Sequence, residues 1–340
     1  MSDKLKIGII GLGHWGPNLL SNFLANDLVD VAAVCDMDSN KLAKAKSATC
    51  KKTSDATELL TQDNDIRAII VATPVSTHYG LVKQALESGK DVFVEKPLAS
   101  TVEEATELVE LAKAKNLILM VGHVFLYNRG IQYVKGLIDA GELGDLQFIH
   151  CERTNLGPFR HDVDAFQDLA THDISILNYW LDGQAKTISA HGGCFLGNPR
   201  ADVVSANLTY PNGVHANILV SWLHPRKTRQ ITVVGSRKML EWNDMSSTEP
   251  IRIYDKHTEV DYDQKEGSFA EFHFTIHEGN VLIPRVAMAQ PLREECHAFV
   301  DAVLTRKPPF SDGDMGVAVM QCLQAAATSM ATNSAHVQVK

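Results

Sequence analysis

The sequence lacks the features that mark several large functional classes. Its six cysteines, Cys35, Cys50, Cys151, Cys194, Cys296 and Cys322, never fall at C-x-x-C spacing. Neither a zinc ribbon nor a disulfide framework is therefore written into them, and they read as reduced core thiols of a cytoplasmic protein. No stretch approaches the roughly 18 consecutive apolar residues of a membrane span. The first apolar run begins within a few residues of Met1, so no targeting segment is expected. Long basic patches are missing too. With 32 lysines and arginines against 41 aspartates and glutamates, the formal net charge of −9 points away from a nucleic-acid partner. There are no internal repeats and no low-complexity linkers.

What remains is a chain of 340 residues, 45% of them apolar, long enough for two domains with separate cores. It opens on an apolar run, Leu5 to Ile10, followed by Gly11-Leu12-Gly13-His14-Trp15-Gly16 and a stretch from Pro17 to Leu24 of helical pattern. A strand, a G-x-G-x-x-G turn and a helix N-terminus together aim backbone N–H groups at a point where a phosphate can sit. Proline suits the first helical turn, where its missing N–H removes no bond. Further strands are predicted at 28–36, 67–74, 91–97 and 117–123, alternating with helices. One helix runs from about Thr77 to Ser88, with Gly89 placed to end it. Another opens on a capping box at Ser100–Glu103. That alternation predicts a parallel, doubly wound sheet whose crevice lies beyond the carboxyl ends of its strands.

After about residue 122 the texture changes. Strand patterns with hairpin turns at 146–155, 203–222, 229–242 and 251–255, with Asn212-Gly213 as the strongest turn signal, predict a large, mostly antiparallel sheet. In 270–277, Ala270, Phe272, Phe274 and Ile276 alternate with Glu271, His273, Thr275 and His277, which predicts one buried and one wetter face. Helices are expected at about 291–306 and 313–331. The fold class is thus α/β: an N-terminal Rossmann domain over 1–122 and a C-terminal α+β domain with a large open sheet over 123–340. A sheet face left uncovered would meet another subunit, so a homodimer or homotetramer is expected.

Asp36 ends the second strand, 20 residues after Gly16. A carboxylate there accepts hydrogen bonds from a ribose diol and repels the extra phosphate of NADP, which favours NAD. Thr73, Pro74 and His78 leave the third strand at the same edge, where they either line the cofactor or form a turn and helix start. Glu95 and Lys96 leave the fourth. A lysine so close behind the buried run Val92–Val94 is either an acid–base group beside the nicotinamide or half of a structural ion pair with Glu95. Asp168 and His172 are four apart, so on a helix they share a face, and a carboxylate beside an imidazole fixes its tautomer and raises its basicity. From the spacing alone, a helix start in which Asp168 favours the dipole and His172 is merely packed is the better reading. His273 and His277 have no third ligand in view and read as solvated or interfacial; no metal is expected.

The combination of G-L-G-H-W-G, Asp36, A-T-P…H, E-K-P and a downstream D-x-x-x-H resembles the Gfo/Idh/MocA oxidoreductases over nearly the whole chain. The resemblance implies a two-domain, NAD(P)-dependent enzyme that oxidises a ring hydroxyl of a sugar or cyclitol. It places Lys96, Asp168 and His172 around the substrate carbon, and Gly11, Gly13, His14, Trp15, Gly16, Asp36, Thr73, Pro74, His78, Glu95 and Lys96 at the cofactor. The stretches G-H-W-G-P-N-L-L-S-N-F, D-L-A-T-H-D-I-S-I-L, V-V-G-S-R-K-M and P-L-R-E-E-C-H-A-F-V-D-A-V are similar to the branch acting on nucleotide-linked sugars, such as UDP-N-acetylglucosamine oxidised at C3. Thr171 stands where that branch often has proline. The narrower resemblance makes Arg153, Asn155 and Arg160 candidates for the substrate. Relatives that hydrolyse glycosides with bound NAD, oxidise inositols or free sugars, or bind NAD without catalysis define the alternatives. Which of Lys96 and His172 is the base stays open.

Overall fold

A computed structural model describes residues 4–45, 50–161, 163–197, 199–260 and 274–340. The chain forms two compact units. One holds the residues up to Asn128 together with Ala289–Gln321; the other holds Arg129–Met288 and Cys322–Lys340.

The first unit opens with β1 (Leu5–Ile10), α1 (Gly16–Leu24), β2 (Val29–Cys35), α2 (Ser39–Lys44) and β3 (Lys51–Thr53). It continues through β4 (Ala68–Val71), α3 (His78–Glu87), β5 (Asp91–Glu95), α4 (Val102–Ala114) and β6 (Leu119–Gly122). Among the described residues the sheet has the order β3-β2-β1-β4-β5-β6, and every pairing in it is parallel. Both faces are covered, so the inner strands are unbroken apolar runs: Ala68, Ile69, Ile70 and Val71 are all 0% exposed. The order reverses direction at β1 and β4, and the turns after Ile10 and Val71 leave from that switch point.

The helix ends follow local chemistry. Thr101, not Ser100, is the N-cap of α4: its Oγ1 accepts from the Glu104 N–H at 3.2 Å, and the Glu104 carboxylate accepts from the Ser100 N–H at 3.1 Å. The capping pair therefore sits one residue later than the S-T-V-E pattern predicts, because a second glutamate follows the first. Gly89, at φ +76°, ends the α3 turn as expected.

The second unit contains α5 (Arg129–Asp139), β7 (Leu146–Leu156), a π-helical turn (Phe166–Ala170), α6 (Thr171–Trp180), β8 (Thr187–Gly193), β9 (Val203–Thr209) and β10 (His215–Ser221). There follow β11 (Leu223–Gly235), β12 (Met239–Asn243), β13 (Ile251–Val260) and β14 (Phe274–Leu282). Then come α7 (Pro291–Thr305), which belongs to the first unit, α8 (Gly313–Ala331), whose residues are shared by the two units, and β15 (Val337–Gln338). The described sheet runs β14-β13-β12-β11-β7-β10-β9-β8-β15, antiparallel except where β10 meets β7. Gly213, at φ +83°, makes the β9–β10 turn. Alternate residues of β9 and β10 are buried. Trp180, 1% exposed, anchors α6 by donating from its indole N–H to the Ile131 carbonyl at 3.0 Å.

Two expectations change. Residues 270–273 of the alternating stretch lie outside the described residues, and Ile276, expected on a buried face, is 62% exposed. Alternation reports two different faces, but among the described strands β14 is at the sheet edge, and its described residues are exposed. Cys194 is exposed in the segment after β8, while the other five cysteines are buried.

Candidate dinucleotide and active site

The turn after β1 is built by three glycines with three different reasons to be glycine. Gly11 has φ +97°, and a Cβ there would lie 2.5 Å from the Ala72 carbonyl oxygen. At Gly16 a Cβ would strike the Gly11 carbonyl, so this glycine lets α1 start directly against the turn. Gly13 is exposed, with no atom within 4 Å of a Cβ position, which leaves its backbone open to a close ligand. The first turn of α1 carries no acidic side chain and no side-chain cap, so its positive end is available to an anion. His14 and Trp15 are both exposed beside it, their rings edge to face with centroids 5.8 Å apart.

Asp36 sits where β2 ends and closes this turn from the side. Its Oδ2 accepts from the Leu12 N–H at 2.7 Å, its Oδ1 accepts from the Asp38 N–H at 2.9 Å, and Lys41 Nζ lies 3.8 Å away. Each carboxylate oxygen keeps a second lone pair, so the group both fixes the turn and can accept from a diol. An open glycine, an uncapped helix start and an anchored carboxylate together fit the pyrophosphate and ribose of a dinucleotide.

The ends of β4, β5 and β6 supply the next layer. Thr73 is half-buried and Pro74 exposed. His78 does not line a ligand site: it is 1% exposed, its Nδ1 is 2.8 Å from the Pro97 carbonyl, and its Nε2 is 2.9 Å from the Thr73 carbonyl. It ties the turn after β4 to the segment after Lys96. A neutral ring donates to only one of two carbonyls; burial lowers its pKa while the two carbonyls oppose that shift.

Glu95 and Lys96 leave β5 half-buried. Burial pushes the Glu95 carboxyl up to about 7, with the Lys96 charge opposing. Two further groups join this neighbourhood, both absent from the candidates read in sequence. Glu295, on α7, is 1% exposed, and neither carboxylate oxygen has a hydrogen-bond partner among the described residues. Burial, then the charge of Glu95, raises its pKa well above the ordinary range. His123, directly after β6, is 1% exposed, and neither ring nitrogen has a hydrogen-bond partner among the described residues. Burial and then the Lys96 charge hold it down to about 3, so the ring is neutral. His123 ends a strand on the same sheet edge as Asp36 and Lys96, a signal the sequence offers; Glu295 gives none, since it looks like one more polar residue of a helix.

In the second unit, Asp168 lies inside the π-helical turn and His172 in the first turn of α6, so the two are not on one continuous α-helix. Such turns recur at functional sites. Asp168 accepts from Arg160 Nη1 at 3.1 Å, and His172 is half-buried. Arg160 thus stands beside Asp168. Arg153 has a different role from the one proposed for it: it is 4% exposed, and its guanidinium makes contacts of 2.7 to 3.2 Å with both oxygens of Asp173. An arginine so enclosed holds β7 to α6 and presents no open surface to a substrate. Asn155 is half-buried and donates to the Gly157 carbonyl at 2.6 Å, bracing the turn after β7.

Comparison with known proteins agrees with this geometry. Residues 5–123 match the NAD-binding Rossmann-fold domain of the GFO/IDH/MocA oxidoreductase family, and residues 131–241 match a C-terminal domain of the same family. The chain belongs to the Gfo/Idh/MocA family. It is therefore an NAD(P)-dependent oxidoreductase acting on CH–OH groups. It is similar to UDP-N-acetylglucosamine 3-dehydrogenase of Acidithiobacillus ferrooxidans, at 26% identity across 93% of this chain and 94% of that protein. It is also similar to scyllo-inositol 2-dehydrogenase (NAD(+)) of Bacillus subtilis, at 31% identity across 58% and 60%. The solved structure of the A. ferrooxidans enzyme, GnnA, superposes with a TM-score of 0.78 at 24% identity over 96% of this chain and 98% of that one. GenD2 from gentamicin A biosynthesis, solved in complex with NAD, gives 0.80 at 21% identity over 100% and 97%. At such identities the structural likeness speaks for the fold. Among the described residues no helix is long and apolar enough to cross a membrane.

Proposed function

We propose that the chain is an NAD-dependent dehydrogenase that oxidises a ring hydroxyl of a nucleotide-linked sugar, with UDP-N-acetylglucosamine at C3 the leading candidate. The observation that carries the substrate class is end-to-end similarity. The nucleotide-sugar dehydrogenase aligns over 93% of the chain, whereas the inositol dehydrogenase aligns over 58%. NAD over NADP rests on Asp36, whose carboxylate faces a ribose diol favourably and a 2′-phosphate unfavourably.

When bound, the nicotinamide ring supplies the hydride acceptor. The chain's own residues handle the proton and the charge. His172 or Lys96 removes the hydroxyl proton, with Asp168 orienting the imidazole and Arg160 steadying Asp168. The other cation, if Lys96 is not the base, stabilises the developing alkoxide. Glycines 11, 13 and 16 with the start of α1 hold the pyrophosphate, and Thr73, Pro74, His14 and Trp15 flank it. Asn155 is kept as a substrate contact through the turn it braces. The exposed apolar residues Phe148, Ile276, Val281 and Leu282 support a homodimer or homotetramer; a monomer at micromolar concentration by light scattering would contradict it.

The test is NADH formation by the purified chain with UDP-N-acetylglucosamine, UDP-glucose, a dTDP-hexose, myo-inositol and free glucose, with a coupled keto-acid acceptor. Turnover confined to UDP-N-acetylglucosamine is expected. Turnover with inositol or free sugar would overturn the nucleotide-sugar reading and keep the fold and cofactor. Release of an aglycone without net NADH would identify a glycosidase instead.

A further inference from the structure

Away from the strand ends that serve the dinucleotide, β13 and β14 bring together three side chains that the dehydrogenase chemistry does not use. His257 and His277 are direct partners in the antiparallel register, with ring centroids 4.6 Å apart and planes 31° from parallel. Asp255 lies two residues before His257 and so on the same face. Its Oδ2 is 3.4 Å from His277 Nε2. One ligand-capable atom from each of Asp255, His257 and His277 lies within 4.8 Å of the other two.

Three features show that the arrangement is built. The pairing Tyr254↔Val281 slips to Lys256↔Glu278, so Gly279 and Asn280 of β14 stand opposite the single residue Asp255 of β13 and form a β-bulge there; such a bulge bends the strand and re-aims the side chains around it. Gly279 on β14 lies under the Asp255 carboxylate, and a Cβ there would collide with it, so only glycine leaves that carboxylate its place. Finally, Nδ1 of His257 is buried and has no hydrogen-bond partner among the described residues, while Nε2 faces Glu259 Oε1 at 3.4 Å. A carboxylate at Nε2 fixes the proton there and leaves Nδ1 with an unused lone pair, the arrangement in which outer carboxylates prepare histidine for a metal.

We propose that Asp255, His257 and His277 bind one borderline divalent cation, Zn²⁺ by preference, which cross-links the edge strand β14 to β13. Two imidazoles and a carboxylate suit Zn²⁺ and its transition-metal neighbours, not Mg²⁺ or Ca²⁺, which require a shell of oxygens. Ligands about 2.0–2.2 Å from Zn²⁺ stand roughly 3.4 Å apart in a tetrahedron, so modest side-chain rotation closes the triad and leaves a fourth position for water. His277, read in sequence as solvated or interfacial, becomes a ligand because its partners come from a strand that sequence spacing does not connect to it. Neither the proposal nor its test depends on the substrate.

The experiment uses the untagged full-length chain, stripped with EDTA, desalted, and titrated with Zn²⁺ and separately with Co²⁺. One Zn²⁺ per chain is expected, and Co²⁺ should give the intense visible bands of a tetrahedral site. His277→Ala, whose side chain is 47% exposed in the parent and whose loss does not threaten folding, should weaken binding at least about 100-fold. Gly279→Ala should weaken it about 10-fold by displacing Asp255. Failure to take up a stoichiometric ion, or uptake unchanged by His277→Ala, overturns the proposal.

Discussion

In the first unit, His123 and Glu295 are each 1% exposed and have no hydrogen-bond partner among the described residues, while in the second unit Arg153 and Asp173 are equally enclosed and bind each other through three contacts. A buried polar group without a partner costs on the order of 1–3 kcal/mol, which folding alone gives no reason to retain. A buried pair with good geometry offsets much of its own desolvation, and breaking it leaves an uncompensated charge. The contrast sets buried groups that no described partner repays against a buried pair that holds two elements together. Both unpartnered groups lie in the electrostatic reach of Glu95 or Lys96, whereas the paired arginine, which sequence resemblance nominates for the substrate, serves β7 and α6.

The largest effect that can break this contrast is at Lys96. Lys96→Ala should lower kcat by about 10²–10⁴, with dinucleotide binding by fluorescence kept, and His172→Ala should fall in the same range. Near-normal turnover in both variants would remove the acid–base reading. Next in size is the pair itself. Arg153→Met strands Asp173 in the interior and should cost about 3–5 kcal/mol in urea unfolding, with much of it recovered by adding Asp173→Leu. A loss below about 1 kcal/mol, accompanied by a raised KM, would return Arg153 to the substrate.

The proton balance offers a third test. Glu95 and Glu295 have folded-state pKa values raised above their unfolded ones, so their stabilisation is complete below the unfolded carboxylate range and is lost as pH rises toward the folded values. For Glu95 that loss is complete near pH 7. His123 works the other way: held down to about 3, it costs stability as pH falls below the ordinary histidine value. The opposing slopes partly cancel in mild acid. Glu295 adds to the loss of stability with rising pH over the range in which its folded carboxyl is still protonated and the unfolded one is ionised. Glu295→Gln should make that loss shallower in pH-dependent urea titrations. An unchanged slope would mean that Glu295 is not held neutral.

How far the sequence revealed all this depends on what kind of signal each residue carries. The parallel sheet was legible because buried parallel strands are apolar throughout, as in Ala68–Val71, and are separated by helices. β3, with the sequence Lys-Lys-Thr, gives no apolar signal and exists by pairing with β2. α7 shows its apolar stripe plainly, but its membership of the first unit is a tertiary fact. Among the site residues, the glycines, Asp36 and Lys96 announce themselves by position at strand ends. His78 was visible as a residue and not as a clamp, since its partners are backbone carbonyls of two separate turns. Arg153 and Ile276 show the same limit in opposite directions: sequence names the side chain, and only packing decides whether it is enclosed or bare.

The smallest expected effect sharpens the contrast from its exposed side. Arg160 and Asp168 are 3.1 Å apart, with side chains 42% and 17% exposed, so the pair is open to water and ions on the arginine side. Exposed pairs of this kind contribute about 0.2–1 kcal/mol. If Arg160 acts only by steadying Asp168, Arg160→Ala should lower kcat/KM no more than about fivefold, and the deficit should shrink in high salt, where the parent's own pair is screened. A loss of about 100-fold or more, appearing in KM and insensitive to the Asp168→Asn background, would instead show Arg160 touching the substrate directly, since an interaction routed through Asp168 has nothing left to lose once that carboxylate is neutral.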